Sequence, residues 1–423
     1  MSTNEATVDA IDTEVLQRRT LRTLICGVVP AGAAMTSAYS AAAVLGEELT
    51  GSETLGALAA ACLTIGAALA TLPLAHLMAL RGRRPGIVAG YATAGLGALT
   101  AALAAITGWY ILLPLGILGV GAGNGANLAA RYAAADLVPE EGKARAIGNL
   151  VWSSTIGAVL GPTIGLGPGK RLGKTLTGVE LSGPYLAAAA FFAIAGMIVY
   201  LRLRPDPLTV AGVTKSDSAA GVSLRAALGL LASSGPGRLA VGSMVAGHVV
   251  MVGVMTMTPL HMKDGGHQLE LVGFVISLHI IGMYGLSPVV GWLTYRIGPH
   301  PVIAVGGVML LVGSEFASHT DPEHSVGVFT GLFLIGLGWS FGLVASSTLI
   351  AAEFDGPERV RVQGLADLTM TASGGLAGLG SGLIVSFTDF RTLSHYSGIL
   401  GFYPTAAVAL IFLMRRRPSF RRS

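Results

Sequence analysis

The feature that most constrains this chain is a repeated length of apolar sequence. Twelve runs recur, at roughly 21–45, 55–79, 86–106, 109–134, 144–166, 184–203, 239–262, 270–293, 301–318, 326–351, 360–387 and 395–414. About 20 apolar residues in a helix cross the hydrocarbon of a bilayer. Composition agrees: 423 residues that are 52% hydrophobic and only 12% charged do not make a soluble domain. Sixty glycines and many alanines suit membrane helices whose backbones approach closely. The sequence therefore predicts an all-α integral membrane protein. Its net charge of +4 points to no nucleic-acid partner, because the basic residues sit in short loops between the runs. The first run is too long for the apolar core of a cleavable signal peptide. Cys26 and Cys62 both lie inside apolar runs, and nothing in the sequence supports a disulfide between them.

Orientation follows from Lys and Arg, which accumulate on the cytoplasmic side. With the N-terminus inside, cytoplasmic segments carry 21 of them and outer segments 5. Both termini are expected in the cytoplasm. The polar stretch 204–222, RPDPLTVAGVTKSDSAAGV, reads as a linker. It separates an N-terminal six-helix half (1–203) from a C-terminal one (223–423). The halves repeat: RGRRPG (81–86) follows span 2 and YRIGPH (295–300) follows span 8, with Gly82 and Gly298 216 residues apart. KARAIG (143–148) and RVRVQG (359–364) repeat at the same offset. Parallel repeats of six spans characterise secondary transporters. No phosphate-binding P-loop accompanies them, so ATP is not the expected energy source, and no enzymatic activity or cofactor is expected.

On these features the chain resembles the major facilitator superfamily over nearly its whole length. The resemblance implies twelve transmembrane helices in two six-helix halves. In that superfamily the span 2–3 loop reads Gly-x-x-x-Asp-Arg-x-Gly-Arg-Arg. Here Gly82, Arg83 and Arg84 are kept, while Ala79 and Leu80 stand at the Asp and Arg positions; the second copy keeps Gly291, Arg296 and Gly298 but has Tyr295 for Asp. The missing acids put the usual gating charge network in question. GAVLGPTIG (157–165), with Gly161 and Pro162, looks like the span 5 motif of the antiporter branches, and it bends and thins that span for packing.

A finer resemblance is to the copper importers similar to CcoA, which carry Met-x-x-x-Met in span 7 and His-x-x-x-Met in span 8. The corresponding residues here are Met251 and Met255, then His279 and Met283. On a helix Met244, His248, Met251 and Met255 fall within about 60° of one another. His279 and Met283 are one turn apart on the next span, and both sets sit near the bilayer midplane. Thioether and imidazole suit Cu(I) better than they suit oxygen-seeking ions. Methionine is also an adaptable filler of apolar gaps, and an isolated pair is more often packing than ligand.

Other polar residues carry their own readings. Asp367, with Met370 one turn on, reads either as a group that binds a proton or touches cargo, or as the buried partner of Arg131. Arg131 and Asp136, at the inner end of span 4, are expected to pair with each other or to snorkel. Glu315 reads as interfacial. His261, Met262 and His267, at the outer mouth of span 7, read either as a metal-collecting site or as solvated loop residues. The expectation is a monomeric, multi-pass protein of the bacterial inner membrane that imports copper for cytochrome oxidase assembly, with copper as substrate. Rival expectations are proton-coupled export of drug-like organic molecules, uptake of an aromatic nutrient such as riboflavin, and a non-transporting copper receptor or chaperone. As aromatics, spans 7 and 8 offer Phe274, Tyr284 and Trp292.

Overall fold

A computed structural model describes residues 2–212, 224–267, 269–321 and 325–416. The later part of the expected linker (213–222) and the C-terminal arginines from Arg417 onward lie outside the described residues. Among the described residues twelve helices are long and apolar enough to cross a membrane: Thr13–Thr50, Thr54–Arg81, Arg83–Thr107, Leu112–Ala133, Glu140–Thr177, Glu180–Val210, Gly235–Asp264, Leu271–Ile297, Pro299–Ser318, Val326–Glu353, Glu358–Phe387 and Phe390–Met414. They are numbered spans 1 to 12 below. The all-helical, twelve-span reading holds.

Several spans run beyond their apolar runs. Span 5 continues through a five-residue π turn, Gly165–Gly169, into Lys170–Thr177. Pro168 inside that turn lacks the N–H that a regular helix would use, which favours the wider winding. Span 8 breaks similarly. Its α-helix ends at Ile280, a π turn covers Ile281–Gly285, and a second α-helix runs Ser287–Ile297. Pro288 cannot donate to the Tyr284 carbonyl, and the Ser287 hydroxyl donates to it instead at 2.6 Å.

Small residues set the helix crossings. A Cβ on Gly97 (span 3) would stand 2.5 Å from the Gly116 carbonyl oxygen of span 4. A Cβ on Gly313 (span 9) would stand 2.8 Å from the Gly331 oxygen of span 10. Gly97 and Gly313 are again 216 residues apart, so the repeat extends to how the helices touch. In membranes such approaches supply the dispersion contacts that hold helices together. In span 5, Gly157 faces span 1, where a Cβ would meet the Val29 oxygen at 2.6 Å. A Cβ on Gly161 would meet the Ala33 oxygen at 2.5 Å.

The chain forms two compact units. The first comprises Met1–Leu231 with Phe354–Ala372, and the second Ala232–Glu353 with Ser373–Ser423. Residues Phe354–Ala372, the first half of span 11, belong by sequence repeat with the later spans, yet they belong by contact to the first unit. A Cβ on Gly364 would press against the Ala75 methyl of span 2, showing how closely that half-span packs there.

Candidate functional site

In the first unit a buried charge network gathers where spans 2 and 3 meet. Gly82 ends span 2 and precedes span 3 with φ 97°, a conformation that favours glycine. That turn aims Arg83 inward, where it is 1% exposed. Arg83 Nε donates to Asp136 Oδ2 at 2.8 Å and its Nη2 to Asp136 Oδ1 at 3.2 Å. Its Nη2 also donates to Gln363 Oε1 at 2.8 Å. Arg359 donates to the same Asp136 at 3.0 Å. Asp136 is therefore held by two arginines, and the expected pairing of Asp136 with Arg131 does not form. The network is assembled despite Ala79 and Leu80, because its acid comes from the end of span 4. Asp206, between the helices Gly183–Arg202 and Pro207–Val210 at the end of span 6, accepts from the backbone N–H groups of Arg83 (3.1 Å), Arg84 (2.8 Å) and Leu208 (3.0 Å). It thus caps the start of span 3 from the linker. The Arg84 guanidinium lies 5.9 Å from the Tyr200 ring.

Deeper in the same unit, Arg131 pairs with Asp367, and each is 2% exposed. One guanidinium nitrogen reaches Asp367 Oδ2 at 3.4 Å and the other donates to Oδ1. Arg131 also donates to the Leu128 carbonyl at 2.7 Å and to the Tyr132 hydroxyl at 3.2 Å. The Tyr132 ring lies 4.4 Å from its Cζ. Of the two readings of Asp367, the partnership with Arg131 is the geometry observed. A pair taken fully out of water survives only when its remaining donors and acceptors are also satisfied, as they are here.

The second unit holds an aromatic and imidazole cluster. Trp339 Nε1 donates to His248 Nδ1 at 2.9 Å. The Tyr284 ring meets Trp339 edge-on, centroids 5.7 Å apart. His248, Tyr284 and Trp339 are each the fourteenth residue of spans of 30, 27 and 28 residues. All three thus lie near mid-depth. Trp339 is buried, whereas His248 and Tyr284 keep partial exposure. Gly374 of span 11 makes room for the imidazole: a Cβ there would approach His248 Nε2 to 2.8 Å.

His279 stands apart from this cluster. It is wholly buried, and its Nδ1 lies 2.7 Å from the Leu332 carbonyl oxygen. A carbonyl only accepts, so Nδ1 carries the proton and Nε2 presents a lone pair. That Nε2 is buried without a hydrogen-bond partner. Gly336 admits the ring closely, since a Cβ there would stand 3.1 Å from Nδ1. Met283 falls inside the π turn, so its spacing from His279 is not the regular α turn expected from sequence. Met244, Met251, Met283 and Met370 are buried, and Met255 is partly exposed. Among the described residues no three His, Cys, Asp or Glu side chains gather into a metal-holding group.

At the outer end the readings change. Met262 is fully buried rather than solvated, and His261 stacks on Phe390 with centroids 4.1 Å apart. His267 is partly buried. Glu315 takes His395 Nδ1 at 2.9 Å and His319 Nδ1 at 3.3 Å. Arg296 has its Cζ 5.7 Å from the Trp292 ring.

Sequence reasoning missed Trp339, Asp206, Gln363 and Arg359. Asp206 had a usable signal, because Asp-Pro before a short helix is an N-cap pattern. Trp339 had none. It sits in an apolar run without periodicity, and only the packing of spans 7, 8 and 10 brings it beside His248.

Comparison with known proteins gives the family. The description Major Facilitator Superfamily matches residues 24–314 and 266–423. The uncharacterized MFS-type transporter YdeG of Bacillus subtilis (strain 168) is 34% identical over 387 residues, covering 91% of this chain and 90% of its own. The riboflavin transporter RfnT of Brucella anthropi is 24% identical over 378 residues, 88% of this chain and 89% of its own. In three dimensions the human organic anion transporter MFSD10 (TETRAN) superposes with a TM-score of 0.73 at 16% identity, over 93% of this chain and 99% of that one. The chain belongs to the Major Facilitator Superfamily, and is a multi-pass membrane transporter rather than an enzyme.

Proposed function

We propose that this transporter carries a planar aromatic organic molecule of the riboflavin type by alternating access, with its substrate contacts in the second unit. The observation that carries the reading is the mid-depth cluster of Trp339, His248 and Tyr284. A flat, weakly charged solute is held by offset or edge-on aromatic faces and oriented by one or two polar groups. His248 and Tyr284 supply both kinds of contact and retain exposure. The weak relationship to a riboflavin transporter supports the same class. To the few aromatics of spans 7 and 8, span 10 adds Trp339.

Riboflavin titrated into purified protein should quench tryptophan emission. Four tryptophans are present, and Trp339→Phe should remove most of the quench and weaken binding about tenfold. A full quench in that variant would sink the proposal.

Asp367 is the coupling group on this reading. Its pair with Arg131 must open before the carboxylate can take a proton, which links protonation to movement of span 11. Asp367→Asn should flatten the pH dependence of transport while sparing substrate binding. An unchanged pH profile assigns the pair to structure alone.

Copper import remains the second reading, favoured by one observation: the unpartnered His279 Nε2 with Met283 buried nearby in sequence. A neutral imidazole whose other nitrogen is anchored on a carbonyl is a common posture for a metal ligand. Thioethers beside it would select Cu(I). Silver blocking uptake of labelled copper, with His279→Ala abolishing that uptake, supports this reading. Copper flux unaffected by silver and by His279→Ala removes it.

A further inference from the structure

We infer that a cleft between span 1 and the end of span 6 binds the headgroup of an anionic phospholipid. The cleft has a volume of about 690 Å³ and is lined by Arg18, Arg19, Arg22 and Arg202, with Val15 and Cys26 at its two ends. Val15, Arg18, Arg22 and Cys26 follow at steps of three, four and four residues, so they form one stripe along span 1. That stripe runs along the helix axis and across the start of the apolar run. Its middle is cationic, and above the arginines it enters the apolar run at Cys26. A phospholipid has this same order, phosphate at the interface and acyl chain beyond it.

Higher up, the two spans touch closely, since a Cβ on Gly27 would come within 2.9 Å of Val199 Cγ2. Lower down, the cleft is lined by Arg22 from span 1 and Arg202 from span 6. Arg18 is offset by Glu14, at 2.5 Å with both side chains exposed. Arg19, Arg22 and Arg202 form no ion pair among the described residues. Among the described residues the cleft lining therefore carries an excess of positive charge. Exposed Leu201 beside it would be covered by lipid rather than by a free solute. Tyr200, ringed by Arg84 and Arg204 at 5.9 and 5.3 Å, marks the same level as interfacial. On the orientation that the Lys and Arg distribution predicts, this is the cytoplasmic leaflet, whose anionic lipids attract basic pockets between spans.

Arginines spread around loops would merely orient the protein. Here they come from two helices and converge on one cleft. Guanidinium groups are planar forks matched to phosphate oxygens, and several of them together favour a lipid whose phosphate charge is not offset by an ammonium of its own.

The test is native mass spectrometry of the full chain with equal phosphatidylglycerol and phosphatidylethanolamine. Phosphatidylglycerol adducts should be enriched at least tenfold. Arg22→Gln with Arg202→Gln should abolish the preference, and Arg171→Gln, on the opposite face, should keep it. If the double variant does not stay monodisperse, each single variant should lose at least threefold. Equal adducts for the two lipids, or an unchanged preference in the variants, overturns the inference. Glycerol phosphate without acyl chains should not displace the lipid at equal concentration. Displacement would make the ligand a free phosphate ester and overturn the lipid assignment.

Discussion

The loop after span 2 and the loop after span 8 share a backbone and differ in almost everything else. Gly82 has φ 97° and ψ 171°, and Gly298 has φ 82° and ψ 165°. Each N–H closes the preceding helix, on Met78 at 2.9 Å and on Thr294 at 3.0 Å. Each glycine is followed at once by the next span. Around Gly82, however, Arg83 is buried against Asp136 and Gln363, while Asp206 caps the new helix. Around Gly298, the flanking Arg296 rests near Trp292, and a Cβ on Gly298 would meet nothing within 4 Å. Duplication preserved the turn because one glycine suffices to make it. The charge network around Arg83 needs partners from spans 4 and 11 and from the linker.

The sharpest way to break this asymmetry is Asp136→Ala. It leaves Arg83 and Arg359 buried without their acid, and removing one partner of a buried pair costs about 3–5 kcal/mol. Thermal unfolding in detergent should show a large loss, with little folded protein recovered. A mild effect would mean that water already reaches the site.

Gly82→Ala comes next. Its positive-φ extended backbone, essentially reserved to glycine, costs about 1–3 kcal/mol for a residue with a Cβ. The new methyl would also meet the Asp206 carboxylate, with which it would collide. Gly298→Ala should lose only the backbone part. Equal losses at the two glycines, read by the same unfolding assay, would show that Asp206 yields freely.

Asp206→Ala should cost about 1 kcal/mol, the value of an N-cap, and should leave the second loop untouched. Limited proteolysis of the linker, compared with wild type, would report its release. The smallest effect belongs to Arg296→Ala, where an exposed arginine near an aromatic ring is worth about 0.5–1 kcal/mol. A loss as large as that of Asp136→Ala would mean that the second loop also carries a network in the working cycle.

The candidate sites differ in legibility for the same reason. Arg131 and Asp367 are conspicuous because ionisable residues in apolar runs are rare, and their pairing is one of the two outcomes the sequence allows. Arg131 was also offered Asp136, a nearer neighbour in sequence. The structure assigns Asp136 to Arg83 and Arg359, residues 53 and 223 positions away. The methionine stripe was legible as periodicity, but the π turn in span 8 was not, although Pro288 marked where regular winding fails. Trp339 was invisible as a site residue because one aromatic in an apolar run has no partner until spans are packed.

The sequence by itself determined twelve crossings, the duplication and the family, because each of these is a local property: apolar length or a motif within one segment. Tertiary structure alone decided which charges pair and which aromatic joins His248. It also decided that the first half of span 11 belongs by contact with the first unit. These outcomes depend on distances between residues far apart in the chain. Apolar helices of similar length carry no register that would fix their neighbours, so close approaches at small residues, Gly364 against Ala75 and Gly374 against the His248 ring, select the arrangement.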